Sequence, residues 1–134
     1  MKNLFEIDEW KIIQNHFDPS KQLQAESIFS IGNGAFGQRA NFEEFYSGET
    51  LQGSYLGGIY YPDKTKVGGW KNGYPEYFAK VLNSCNWIGI DFWIDGEKLD
   101  LNKQKDSHFQ KVLDMKNGTL QRTVTLNLEN EKKD

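Results

Sequence analysis

The sequence predicts a mostly antiparallel β fold. Three observations carry this. Aromatic residues make up 14% of the chain and glycine contributes 13 residues, a mixture that favours strands and tight turns over long helices. Two hairpin signals, Asp95-Gly96 and Asn117-Gly118, sit between alternating apolar runs. No long amphipathic helix and no internal repeat is found. A length of 134 residues fits one domain.

The clearest element is "HFQKVLDMKNGTLQRTVTLNL". A two-residue loop at Asn117-Gly118 would pair Met115 with Leu120, Leu113 with Arg122 and Lys111 with Val124. Leu113, Met115, Leu120, Val124, Leu126 and Leu128 then share one face, so turn and pattern agree. In "NWIGIDFWIDGEKLDLN", Asp95-Gly96 sets Phe92 opposite Leu99 and Ile90 opposite Leu101. Ile88, Ile90, Phe92 and Ile94 form the apolar side expected of a half-buried sheet. Asp91 and Asp95 lie on the outer side of that hairpin, in solvent.

Upstream, "WKIIQN" and "ESIFSI" read as strands. "AFGQRANFEEF" alternates loosely, and "SYLGGIYY" ends on the turn-like Pro62-Asp63. "DPSKQLQAES" holds a helical turn capped by Asp18, with Pro19 at its first position. The stretch from Thr50 to Pro75 reads as strand fragments and loops. The charged tail "NLENEKKD" is expected to fray.

Gly32, Gly34 and Gly37 spell G-x-G-x-x-G. A dinucleotide site would need a helix after these glycines and a parallel strand beyond it. "AFGQRANFEEFYSGETLQG" has no 3.6-residue apolar stripe, and the rest of the chain favours hairpins. The favoured reading is a tight turn at Gly32-Asn33-Gly34, since Gly and Asn tolerate left-handed dihedrals. Gly37 then marks a bulge or a close backbone approach.

Composition narrows the function classes. A net charge of −3 and a pI near 5.4 weigh against a nucleic-acid partner. No apolar run is long enough to span a bilayer. The first residues lack a signal-peptide core, so a cytoplasmic setting is expected. The lone Cys85 permits no internal disulfide and reads as a small buried hydrophobe. His16 and His108 lack ligand-like neighbours, so neither a metal nor another cofactor is expected. Glu43 and Glu44, as neighbours on a strand, point to opposite faces and cannot form a facing catalytic pair. They read as solvated or ion-paired. No catalytic residue is assigned.

Arg39 has two readings: it binds an anion or a neighbouring domain, or it pairs with Glu26, Glu43 or Glu44. Pairing is favoured, because a buried arginine needs a carboxylate. Tyr60, Tyr61, Trp70, Tyr74 and Tyr77 are the candidates for sugar contact, since sugar C–H faces stack on aromatic rings. Core or interface packing is the favoured alternative for them.

"ESIFSIGNGAFGQRANFEE", "YLGGIYY" and "VLDMKNGTLQRTV", in that order, resemble segments of glycoside hydrolase family 65, the maltose, trehalose and kojibiose phosphorylases and their hydrolase relatives. The resemblance runs from about Trp10 to Val124. It makes Gly32, Asn33, Gly34, Gly37, Arg39, Asp114, Asn117 and Gly118 a structural signature. It implies an incomplete N-terminal β-sandwich of the galactose-mutarotase-like supersandwich type, with the catalytic (α/α)₆ barrel absent. The chain would then be a non-catalytic part of an inverting α-glucoside phosphorylase. Its partners would be that barrel and, through uncovered edges, a second copy; the parent would be a homodimer. A free-standing carbohydrate-binding module is the alternative. If sandwich strands are missing, Ile90, Phe92, Leu113 and Leu126 would lack part of their cover.

Overall fold

The computed structural model describes residues 4–65, 75–103 and 106–126. Trp70, Tyr74 and Leu128 lie outside the described residues. The architecture is antiparallel β, as the composition and turns predict. The first four-stranded sheet holds β1 (Phe5–Ile7), β2 (Lys11–Gln14), β9 (Asp106–Asp114) and β10 (Thr119–Leu126), in the order β1-β2-β9-β10. The second holds β3 (Ile31–Gly32), β4 (Phe36–Gln38), β5 (Ser54–Lys64) and β6 (Tyr77–Asn83), in sequential order. A small ribbon pairs β7 (Trp93–Ile94) with β8 (Glu97–Lys98).

Between β2 and β3 the chain forms a short 3₁₀ turn, Pro19–Lys21, and helix α1, Gln22–Ile28. The Asp18 carboxylate accepts from the Ser20 amide at 2.9 Å and Pro19 opens the turn, as expected. The helix runs further than the sequence reading allowed. "ESI" belongs to α1 and not to a strand, because the buried residues Gln22, Ala25, Glu26 and Phe29 recur at helical spacing.

The core lies on the inner face of the first sheet. Ala25 and Phe29 of the helical segment pack with Ala40 and Leu113, flanked by Phe5, Ile12 and Leu120. Beside them Phe42, Leu101 and Phe109 form a second cluster with Phe17, Tyr46, Val124 and Leu126. Phe17, Phe42 and Tyr46 meet edge-to-face, with centroids 5.1 to 5.9 Å apart. That geometry suits the ring quadrupoles.

The β9–β10 hairpin keeps its predicted apolar face but not its register. Leu120 pairs with Leu113, Arg122 with Lys111 and Val124 with Phe109. The loop is therefore Met115 to Gly118, not Asn117-Gly118 alone. Asp114 accepts from the Asn117 amide at 3.0 Å and from its side-chain amide at 2.9 Å. Only Gly118 is left-handed, at φ 63°, so the type I′ requirement is unmet and a longer turn closes. A slip of two residues preserves side-chain parity, so the face survives. Met115 falls in the loop and is exposed.

The Asp95-Gly96 turn is as predicted. Both residues have positive φ, 51° and 84°, and Trp93 pairs with Lys98. The Leu99 amide donates to the Phe92 carbonyl at 2.9 Å. The ladder stops there: the Ile90 amide donates to Glu43 at 2.7 Å, so Ile90 does not pair with Leu101. Asp91 is exposed to solvent, as expected, and also forms an ion pair with Lys98 at 2.8 Å. Cys85 is exposed, not buried.

Gly32-Asn33-Gly34 is the turn between β3 and β4. Gly32 pairs antiparallel with Gly37, and Asn33 Oδ1 accepts from the Ala35 and Phe36 amides at 3.0 and 2.8 Å. No helix follows, so a dinucleotide fold is excluded. Gly37 marks no bulge; it pairs regularly with Tyr55. The irregularity lies in β5 between Tyr55 and Tyr60, where Gly58 has φ 83°. An L side chain there would be strained. Pro62 and Asp63 remain in β5 opposite Ala79 and Phe78. Proline is tolerated because, among the described residues, β4 pairs only with Ser54 to Leu56 and nothing pairs with that edge of β5 at Pro62.

Candidate functional site

Two arrangements of functional side chains emerge: an internal ionic lattice and an external aromatic ribbon. The lattice starts at Glu26 on α1, which is fully buried. Its carboxylate accepts from the Leu51 amide at 3.0 Å, from Gln22 at 3.2 Å and from the Thr50 hydroxyl. Arg39 Nη2 stands 3.7 Å from it. Arg39 also donates to the Leu51 and Leu23 carbonyls at 3.0 and 3.2 Å. Of the carboxylates weighed for Arg39, Glu26 is the one it meets. A Cβ at Gly53 would lie 2.2 Å from Arg39 Cδ, so that residue keeps clear the path of the arginine stem.

Glu43 and Glu44 serve a different arginine. Arg122 on β10 donates to Glu44 Oε1 at 2.7 Å and to Glu43 Oε2 at 2.9 Å, with a further contact to Glu44 Oε2. Its guanidinium lies 4.6 Å from the Phe42 ring centre. Asp100 is buried, and its Oδ1 accepts from the Ser47 and Asn102 amides, each at 3.1 Å. Burial pushes its carboxyl up, but the Ser47 and Asn102 bonds outweigh this and hold it below the usual range. The Tyr46 phenol is raised by burial and by the Asp100 charge.

Each of these acids is thus committed to a structural contact. Glu43 and Glu44 lie in the loop between β4 and β5 and not on a strand, so they do not point to opposite faces as expected but converge on one guanidinium, ion-paired. Among the described residues no group of three or more His, Cys, Asp or Glu side chains could hold a metal. No described helix is long and apolar enough to cross a membrane.

The ribbon is β5 with β6. Its base is tied down: buried Ser54 accepts from Gln52 and donates to Gln38, both at 2.7 Å. Beyond the base, Tyr60 pairs with Val81, Tyr61 with Lys80 and Lys64 with Tyr77. Strand alternation places Tyr60 and Tyr77 on one face and Tyr61 on the other. Among the described candidates, Tyr61 therefore does not share a face with Tyr60 and Tyr77. Tyr60, Tyr61 and Tyr77 are 54%, 58% and 53% exposed. Both faces are bare, because Phe78, Val81 and Leu82 are exposed as well. Lys80 pairs with Asp63 across the ribbon. The sequence reading missed β6 and the Arg122 clamp. The clamp's signal was an arginine at an inward position of β10, between the apolar Leu120 and Val124.

Comparison with known proteins agrees with this architecture. The family model for the glycosyl hydrolase family 65 N-terminal domain matches residues 12–133. Maltose phosphorylase of Bacillus subtilis is 48% identical over 130 residues, which cover 97% of this chain and 17% of that protein. Kojibiose phosphorylase of Thermoanaerobacter brockii is 31% identical over 126 residues, covering 94% of this chain and 15% of that one. A solved structure, "Putative kojibiose phosphorylase from human microbiome", superposes with a TM-score of 0.81 at 37% identity, over 96% of this chain and 17% of that one. The chain spans about a sixth of the length of these relatives. With the fold and the family match in agreement, the chain belongs to glycosyl hydrolase family 65 as N-terminal domain sequence.

Proposed function

We propose that this chain is the non-catalytic first portion of the N-terminal sandwich of an inverting α-glucoside phosphorylase. The parent enzyme would split a disaccharide such as maltose, trehalose or kojibiose with inorganic phosphate. The catalytic barrel would lie outside these residues, and the setting would be cytoplasmic. One observation carries the reading: the acids of the packed half are engaged in structural bonds, while the β5–β6 ribbon is bare on both faces. A freestanding sugar platform needs one open face. A ribbon open on both suits insertion between further protein layers, supplied by the rest of the parent or by a second copy. The Gly32-Asn33-Gly34, Arg39 and Asp114-Asn117-Gly118 signature would then serve to shape the scaffold.

The test is an assay of phosphorolysis with maltose, trehalose and kojibiose. The chain alone should release no glucose 1-phosphate, and turnover by it would overturn the reading. A carbohydrate-binding role stays open for the shared face of Tyr60 and Tyr77. Micromolar maltose affinity lost on Tyr60→Ala would establish it, and absence of binding at millimolar sugar would remove it.

A further inference from the structure

Lys111 stands in the middle of β9, between Gln14 of β2 and Arg122 of β10, on the inner face of the sheet. It is only 2% exposed, and its Nζ has no hydrogen-bond partner among the described residues. Three aromatic rings surround the ammonium instead. Phe42, Phe29 and Phe109 have their centres 5.1, 5.6 and 6.0 Å from Nζ.

The acids that could neutralise Lys111 are engaged elsewhere. Glu26 on α1 is held by Arg39, Thr50, Leu51 and Gln22. Glu43 and Glu44 grip Arg122. All three act on Lys111 only through space, and Arg122, directly opposite, opposes them. Gln14 brings no charge; its side-chain N–H donates to the His16 carbonyl at 2.9 Å. A buried ammonium without a bonded counter-ion is costly. Aromatic faces return part of that cost.

We propose that Lys111 is a pH-responsive element of the core, whose discharge stabilises the fold that α1 and the Ala40–Tyr46 segment build against β9. Burial, and then the Arg122 charge, push its ammonium down from 10.5 to about 8. Between about pH 8 and 10.5 the unfolded chain holds this proton and the folded chain does not. Stability therefore rises with pH across that window, and the slope vanishes below it.

The experiment follows urea unfolding of the full chain between pH 7 and 9.5, for wild type and Lys111→Met. Other titrating groups are common to both, so the difference isolates Lys111. The wild-type folding equilibrium should gain roughly 30-fold relative to the variant. In parallel, an NMR titration of the Lys111 side chain should give a midpoint near 8. Equal pH slopes in the two proteins, or a Lys111 midpoint in the ordinary range above 10, would overturn the proposal. If Lys111→Met fails to fold, the wild-type titration decides alone.

Discussion

The two sheets differ in where their cover comes from. The first sheet finds its own: α1, Phe42 and Leu101 close over Phe109 and Leu113. The second sheet is anchored at buried Ser54 and then runs into solvent, with all seven residues of β6 exposed. Similar strand chemistry thus has opposite outcomes in one chain. Burial is decided by which segments return to a sheet, not by how apolar its strands are. Ile90 and Phe92, 52% and 46% exposed, go with the uncovered half, while Leu113 at 8% belongs to the covered half.

The sharpest way to break this contrast is truncation on each side. Phe109→Ala should cost about 3–5 kcal/mol, the range for deleting a buried ring. Val81→Ala on the ribbon should change stability by less than about 0.5 kcal/mol. Urea midpoints measure both, and equal effects would abolish the distinction. Ionic pairs should follow the same order. Arg122→Ala strands the buried Glu44 carboxylate and should cost about 3 kcal/mol. Lys80→Ala removes a solvent-exposed pair with Asp63 and should cost below about 1 kcal/mol.

Sequence and structure agree where a local rule acts alone. Asp95-Gly96 fixed its own register, and Asp18-Pro19 started its own helical turn. Asn117-Gly118 named the right hairpin but the wrong loop, because the Asp114 side chain captured the Asn117 amide and lengthened the turn. The helix through "ESI" escaped notice because two of its four buried stripe positions are polar, Gln22 and Glu26. Those polar residues are tolerated inside only because Arg39, Thr50 and Leu51 satisfy Glu26, and long-range contacts of that kind leave no periodic trace. β6 was invisible for the opposite reason: "YFAKVLN" is apolar on both faces and shows no alternation. Of the sugar-contact candidates, alternation alone separates Tyr60 from Tyr61. It could not place Tyr77 on the face of Tyr60, since that needs the β5–β6 register.

Smaller effects sharpen the covered half further. Gly118→Ala forces a Cβ into φ 63° and should cost about 1 kcal/mol. The Asn117 side chain, and then its amide, hold the Asp114 carboxyl below its usual value. A depressed carboxyl contributes stability at and above its unfolded pKa and loses it as pH falls through the folded one. The acid limb of unfolding should therefore be shallower in Asp114→Asn than in wild type, as read by circular dichroism from pH 5 to 2.

Native-state hydrogen exchange on the dilute chain tests the central claim, that one half is self-sufficient and the other awaits cover, most directly. Amides of β9 from Phe109 to Leu113 should exchange only through global unfolding, while those of β6 should exchange at least about 100-fold faster through local opening. Protection of β6 equal to that of β9 would contradict the account.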